Sequence, residues 1–243
     1  SCVNKGQFPD LAIKLNKDSS IFSCGELIEL KDSESYSVSS FNSTIPTGKK
    51  NISQIISGET SKIKKQMEEA GDNINSLPIR EVYYLIRGKK NSNVKIVLTH
   101  GSFFETVTYN DLIVKSFGQV FEEMLEQSGL KVSDEIKALL SQVKSEQDNF
   151  SKVRDVEKSS VKLRFRIMTE VKAEGNILND VKYPQILDNT FNLLIPKHSE
   201  TELAEIEKKF NIVFDKKDRT SISSFDIKHH FNGYFRVFQS KID

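Results

Sequence analysis

The sequence is poor in cysteine, has no tryptophan and contains no long apolar run. Its two cysteines, Cys2 and Cys24, are too few for a disulfide framework, although a single bond between them remains an alternative. No stretch approaches the roughly 18 apolar residues that a membrane-spanning helix needs, so no membrane partner is expected. Lysine-rich and asparagine-rich usage without a signal segment indicates a protein of the bacterial cytoplasm.

Several catalytic signatures are also missing. None of the four histidines lies in an H-E-x-x-H pattern and no paired-cysteine spacing is present, so zinc is not indicated. The chain has no G-x-S-x-G sequence and no complete glycine-rich phosphate loop, which argues against a serine nucleophile and against a nucleotide cofactor. With 35 basic and 34 acidic residues there is no overall positive field, so any surface that binds DNA must be local.

What the sequence does contain is an acid and an amine inside a strand-like run. Residues 25–35 read GELIELKDSES. Alternation along a strand places Glu29 and Lys31 on one face, and it places Ile28 and Leu30 on the other as candidate core residues. A carboxylate and an ammonium group therefore face the same space.

A second strand candidate, FPDLAIKL at residues 8–15, precedes this run and is separated from it by a polar segment. If the hairpin folds about its midpoint near Ser19, Asp10 lies opposite Glu29, and directly paired Cβ atoms are about 4.5–5.5 Å apart. Two carboxylates then converge beside Lys31. Like charges at that distance destabilise a fold, and a divalent cation between them reverses the sign of the interaction.

Hard oxygen ligands of this kind suit Mg²⁺, which takes one or two protein carboxylates and also binds substrate phosphate. Such an ion polarises a phosphoryl oxygen and lowers the pKa of a water, while a nearby lysine stabilises developing charge. The residues therefore predict Mg²⁺-dependent phosphate chemistry.

Pro9-Asp10, an interval of 18 residues and Glu29-Leu30-Lys31 resemble the motif of the PD-(D/E)XK nuclease superfamily, and the surrounding sequence is most similar to type II restriction endonucleases. The resemblance implies a Mg²⁺-dependent phosphodiesterase with Asp10 and Glu29 as metal ligands and Lys31 as the catalytic amine. It extends over roughly the first 130 residues. Family cores commonly have a helix before the first strand, and only eight residues precede Pro9, so we expect either upstream sequence or another helix in that place.

The implied activity is sequence-specific hydrolysis of double-stranded DNA. A DNA-repair or structure-selective nuclease would use the same three residues and stays open, as does a non-catalytic DNA-binding protein with a decayed nuclease core, although the intact set argues against decay. Glu29 and Lys31 can also be an ordinary ion pair on an exposed sheet face. Glu170-Val171-Lys172 is a second E-x-K sequence, without a Pro-Asp partner at hairpin distance.

Hydrophobic periodicity predicts a mixed α/β (α+β) fold, with a mixed central sheet flanked by helices. The predicted elements are a helix at 51–70, buried strands at 81–88 and 93–101, and helices at about 111–127 and from Ser133. We expect residues 1–130 to form a restriction-endonuclease-like catalytic core. Residues 131–243 are expected to form a C-terminal α+β lobe for DNA contact and dimerisation.

Two regions are predicted to contact DNA. The polar segment 32–50 follows the E-x-K run, and VKLRFRIMTEVK at 161–172 predicts a strand with three cations on one face. The expected DNA-binding residues are Ser40, Asn42, Ser43, Thr44, Thr47, Lys49, Lys50, Lys162, Arg164 and Arg166. An ordinary surface loop and a solvated strand face explain the same residues and remain alternatives.

A homodimer is expected, because cleavage of both strands of a palindrome needs two copies of one active site. The candidate contact surfaces are the helix from Ser133 and the hairpin at 225–239. In that hairpin, Asn232-Gly233 predicts a two-residue turn, which would pair Ile227 with Phe238 across the strands.

Overall fold

The structure is a computed structural model that describes residues 8–14, 25–38, 40–42, 46–56, 62–72, 74–105, 118–120, 123–125, 127–129, 134, 154–158, 161–165 and 168–242. The chain divides into two compact units. The first comprises Ser1–Ser40, Pro46–Glu105 and Glu170–Asp243, and the second comprises Phe41–Ile45 and Thr106–Thr169. The boundary expected after residue 130 falls inside the second unit.

Twelve strands are found among the described residues. In chain order they are β1 (Leu11–Ala12), β2 (Leu27–Ser33), β3 (Ser40–Asn42), β4 (Lys49–Asn51), β5 (Ile79–Lys90), β6 (Asn93–His100), β7 (Arg154–Lys158), β8 (Val161–Phe165), β9 (Met168–Glu170), β10 (Thr190–Lys197), β11 (Ile222–His229) and β12 (Gly233–Lys241). Eight of them form one mixed sheet in the first unit, with the order β1-β2-β5-β6-β10-β12-β11 and with β4 paired to β5. The C-terminal strands therefore belong to the same sheet as the E-x-K strand, β2.

The alternation of side chains in β5 explains why this segment forms a sheet strand. Val82, Tyr84 and Ile86 are fully buried, and they alternate with the partly exposed Tyr83 and Leu85. The adjacent β6 pairs with β5 in an antiparallel hairpin. Both predicted buried strands are thus confirmed.

Strand β2 lies inside the sheet, between β1 and β5. It runs parallel to β5, with Leu27 paired to Val82 at one end and Ser33 to Gly88 at the other. Parallel neighbours need a crossover, and helix α1 (Lys62–Glu69) lies in the chain between the two strands. Of its residues, Ile63 and Met67 are buried one turn apart, as expected of a helix with one apolar face.

The continuous helix predicted at 51–70 is wrong in its first part. Residues Ile52–Gln54 form a short 3₁₀ turn directly after β4, and α1 begins only at Lys62. The side chain of Asn51 accepts a hydrogen bond from the backbone N–H of Ser53 at 3.0 Å. This bond caps the 3₁₀ turn, which is separate from α1. Ile52 is buried within this short turn.

A buried ion pair joins the end of α1 to the start of β5. The guanidinium of Arg80 donates two hydrogen bonds to the carboxylate of Asp72, at 2.9 and 2.8 Å. Arg80 is 1% exposed and Asp72 7% exposed. The fork geometry satisfies both carboxylate oxygens, which offsets the desolvation of the two charges.

The C-terminal hairpin forms, but the predicted register is wrong. Ile227 pairs with Phe235 and His229 with Gly233, so the turn contains three residues, 230–232. The cause is the buried imidazole of His229, whose Nδ1 accepts hydrogen bonds from the backbone N–H groups of Phe231 and Asn232 at 3.2 and 3.1 Å. These bonds fix a wider turn than an Asn-Gly pair alone specifies.

Two helices, α2 (Glu200–Val213) and α3 (Lys216–Thr220), precede β11. Each begins at a side-chain cap: Ser199 accepts from the N–H of Glu202 at 3.1 Å, and Asp215 accepts from that of Asp218 at 2.8 Å. No helix in the described ranges is long and apolar enough to cross a membrane.

Two further small sheets are described, and the β7–β8 sheet belongs wholly to the second unit. Strand β7 pairs antiparallel with β8, and β3 pairs with β9. The single strand predicted at 161–172 is divided, with β8 ending at Phe165 and β9 beginning at Met168. The predicted helices at 111–127 and from Ser133 lie mainly outside the described residues.

The predicted fold class is confirmed in its coarse form: a mixed α/β fold built on an eight-stranded mixed sheet with a few helices. The finer prediction, a restriction-endonuclease-like core, stays a prediction.

Candidate active site

The pairing of β1 with β2 brings Asp10 to Glu29. The antiparallel register pairs Leu11 with Ile28, and continued by one residue it places Asp10 opposite Glu29, as the sequence predicts. Asp10 is also held directly, because its Oδ2 accepts a hydrogen bond from the backbone N–H of Leu30 at 2.8 Å. The two carboxylates therefore share one side of the hairpin.

The charged face of β2 is its covered face. Glu29 is 8% exposed and Leu27, on the same face, is fully buried, whereas Leu30 on the other face is 44% exposed. The expectation that Leu30 belongs to the core is therefore wrong. Burying a carboxylate is costly unless something binds it, so the orientation of β2 points to a ligand or partner for Glu29.

The two oxygens of Glu29 have different surroundings. Oε1 accepts a hydrogen bond from Nζ of Lys31 at 2.9 Å. Oε2 is buried and accepts no hydrogen bond from any residue that the structure describes. Burial raises the pKa of Glu29, Lys31 opposes this effect, and the charge of Asp10 adds to it. One oxygen of this carboxylate is therefore left to be satisfied by something else.

A divalent cation fits this donor set. Within the described ranges, no group of three or more His, Cys, Asp or Glu side chains converges, and the β1–β2 register brings together the two acids Asp10 and Glu29. Mg²⁺ typically binds one or two protein carboxylates, and waters and a phosphate complete its coordination. The orphaned Oε2 of Glu29 is the specific atom that such an ion would satisfy.

Lys50 is a second amine on the sheet face that carries Glu29. Its Nζ lies 4.3 Å from the centroid of the Phe8 ring, two residues before Asp10. Burial lowers the pKa of Lys50, and the charge of Glu29 acts in the opposite direction. The sequence predicted a DNA contact here and gave no sign of the contact with Phe8, because the position of Lys50 depends on the pairing of β4 with β5.

The neighbouring Lys49 makes different contacts. Its Nζ lies 3.1 Å from Oε1 of Glu81, and the other oxygen of Glu81 lies 2.8 Å from Nε2 of His100. Nδ1 of His100 is in turn 2.7 Å from Oγ of Ser102. The hydrogen bond with His100 is the main cause that lowers the pKa of Glu81. Sequence reasoning assigned no role to these residues, since only strand pairing brings them together.

Close backbone packing fixes the segment before β4. A Cβ on Gly101 would lie 2.0 Å from the carbonyl oxygen of Thr47, and one on Gly48 would lie 2.7 Å from the His100 ring. Thr47 Oγ1 donates to the carbonyl of Lys49 at 2.9 Å. The segment that carries Lys49 and Lys50 is thus held against the end of β6.

The other predicted DNA-binding residues are distributed as follows. Ser40 and Asn42 lie in β3, while Ser43, Thr44 and Arg166 lie outside the described residues. Lys162 and Arg164 lie in β8, where the register pairs them with Glu157 and Asp155 of β7.

The second E-x-K sequence does not form a comparable pair. Glu170 is exposed at the end of β9, and Lys172 lies beyond the strand at the start of a 3₁₀ turn. The two side chains are not presented from one strand face as Glu29 and Lys31 are.

Comparison of the chain with protein-family models, with curated proteins and with solved structures finds no significant match.

Proposed function

We propose that this protein is a Mg²⁺-dependent, sequence-specific endodeoxyribonuclease of the type II restriction class. Asp10 and Glu29 would hold the ion, and Lys31 would act as the catalytic amine. The observation that carries the proposal is the buried Oε2 of Glu29, which lacks a hydrogen-bond donor among the described residues while Oε1 holds Lys31.

The residues divide the chemistry between them. When bound, Mg²⁺ polarises a phosphoryl oxygen and lowers the pKa of the water that attacks phosphorus. Asp10 is oriented for its role by the N–H of Leu30, at 2.8 Å. Lys31 is held 2.9 Å from Glu29. In this proposal its charge would stabilise the negative charge that develops on a phosphate bound beside the ion.

Double-stranded DNA is the proposed substrate and a two-fold symmetric homodimer the proposed form. Thr47 and Lys49, in the segment next to the site, and Lys162 and Arg164 in β8 are the proposed contacts to the DNA backbone. Sedimentation equilibrium with and without a DNA duplex tests the dimer, and a monomer in both conditions would contradict it.

The test of the activity is conversion of supercoiled plasmid to nicked and linear DNA. The parent protein should convert the plasmid with Mg²⁺ and not with EDTA, and Glu29→Gln should abolish the reaction. Glu170→Gln is the matched control, because it alters the acid of the second E-x-K sequence. The proposal fails if the parent is inactive on plasmid and phage DNA, or if Glu29→Gln cleaves at the parent rate.

A further inference from the structure

The strand register places Lys50 on the same sheet face as Glu29. Lys50 pairs with Arg80 across β4 and β5, and Glu29 pairs with Tyr84 across β2 and β5. Directly paired residues project from one face of a sheet, and residues at even spacing in a strand project from the same face. Since Arg80 and Tyr84 are four residues apart in β5, all four side chains belong to one face.

The amine of Lys50 has an unusual environment for a lysine. The side chain is partly buried and stacks over Phe8, and within the described part of the chain its Nζ makes no hydrogen bond and no ion pair. The adjacent Lys49 is paired with Glu81 at 3.1 Å. A partly buried ammonium group without a hydrogen-bonding partner in the described ranges is available to an anion, and a charge-assisted hydrogen bond between the two would be favourable.

The charges of the site favour an anion once a divalent cation is present. Asp10 and Glu29 neutralise that cation, and Lys31 and Lys50 then leave an excess of positive charge beside it. On this basis, and resting on the proposed function, we propose that Lys50 and Lys31 form a phosphate subsite that holds the scissile phosphodiester next to the metal. Lys50 is then a catalytic residue, not a contact to the outer DNA backbone.

Two measurements separate this inference from the proposed function. The first is the single-turnover cleavage rate of a DNA duplex at saturating protein. Lys50→Met should lower it by about 10- to 100-fold, as expected for the loss of one charge-assisted hydrogen bond, and Lys50→Arg should recover part of the loss. Lys65→Met, which removes an exposed lysine of α1, is the matched control and should leave the rate unchanged.

The second measurement needs no cleavage. Inorganic phosphate is titrated into protein loaded with Mn²⁺, and broadening of its ³¹P resonance reports phosphate beside the ion. Lys50→Met should weaken phosphate binding by about 10- to 100-fold. Lys65→Met should bind like the parent, and Glu29→Gln should lose the broadening together with the metal.

The outcomes are distinguishable. If Lys50→Met cleaves DNA and binds phosphate like the parent, the subsite is overturned while the nuclease proposal stands. If the parent binds phosphate through Lys50 beside Mn²⁺ but cleaves no DNA, the subsite stands and the nuclease proposal falls.

Discussion

The carboxylate of Asp10 accepts a hydrogen bond from the backbone N–H of Leu30, at 2.8 Å, and this bond fixes the first acid of the motif onto the strand that carries the second. The side chain is therefore already positioned for the metal-binding role that we propose for it. Preorganised ligands avoid the entropic cost of ordering the site during binding.

This bond leads to a prediction for Asp10. Asp10→Asn retains an oxygen that can accept from Leu30, so the fold should be unchanged while the charge that would hold Mg²⁺ is lost. Plasmid cleavage should fall by orders of magnitude, and the circular dichroism spectrum and the melting temperature should match those of the parent. Substantial Mg²⁺-dependent cleavage by a folded Asp10→Asn protein would contradict the assignment.

Lys31→Ala should lower the cleavage rate by about 100-fold or more, because the role we propose for the amine is to stabilise the charge that develops in the transition state. DNA binding should be largely retained, since one amine is a small part of a DNA interface. Both quantities can be measured on one duplex, by single-turnover cleavage and by fluorescence anisotropy without Mg²⁺. Glu170→Ala serves as the control, and a rate for Lys31→Ala within a few-fold of the parent would rule out the role.

Glu29→Gln should stabilise the metal-free protein at neutral pH. Burial raises the pKa of Glu29 above its ordinary value of 4.5, so the folded state loses stability as the pH rises from 4.5 through the folded-state pKa. Removing the charge should raise the free energy of unfolding by up to about 2 kcal/mol. Urea denaturation with EDTA measures this change.

With a divalent metal present, the parent should gain stability and Glu29→Gln should not. Mn²⁺ or Mg²⁺ should raise the melting temperature of the parent and leave that of Glu29→Gln unchanged, because ligands that bind only the native state stabilise it. Equal stabilisation of both proteins would show that the ion binds elsewhere.

Asp72→Ala should destabilise the fold strongly, by about 3–5 kcal/mol, because it leaves the guanidinium of Arg80 buried without its partner. The matched control is Glu69→Ala, which breaks the exposed pair with Lys65 on α1 and should cost at most about 0.5 kcal/mol. Chemical denaturation of the three proteins compares the values. Similar costs for the two variants would contradict the structural role of the buried pair.

The sequence predicts the buried strands β5 and β6 and the β1–β2 register that brings Asp10 opposite Glu29. It fails on the register of the C-terminal hairpin and on which face of β2 is covered. Alternation in β5 and the spacing from Asp10 to Glu29 are local signals, which is why both could be predicted. The inward orientation of Glu29 is not a local signal, because charged strand positions ordinarily face water. Which face of β2 is covered depends on what packs onto the sheet, and the local sequence of the strand does not specify this.

The remaining differences also come from tertiary contacts. The turn at 230–232 is set by the ring of His229, which overrides the Asn-Gly signal. The separate environments of Lys49 and Lys50 depend on the pairing of β4 with the first residues of β5. Adjacent residues in a strand point to opposite faces, but only this pairing determines what each face contains.

His229 gives a prediction for the dependence of stability on pH. Burial lowers the pKa of His229 below its ordinary value of 6.5, while Glu174 acts in the opposite direction and His230 adds slightly to the lowering. A base with a lowered folded-state pKa takes up its proton more readily in the unfolded chain. The contribution of His229 to the free energy of unfolding is therefore present above pH 6.5. It is lost as the pH falls through 6.5 toward the folded-state pKa.

Below pH 6.5, the free energy of unfolding of the parent should fall more steeply with decreasing pH than that of His229→Gln. The difference in slope should be up to about 1.4 kcal/mol per pH unit, the value for one proton. Protonation would also remove Nδ1 as the acceptor for the N–H groups of Phe231 and Asn232, which ties the loss to the turn. Urea denaturation at a series of pH values measures the slopes, with His230→Gln, an exposed neighbour, as the control. Parallel profiles for the parent and His229→Gln would show that the buried ring does not govern the acid sensitivity of the fold.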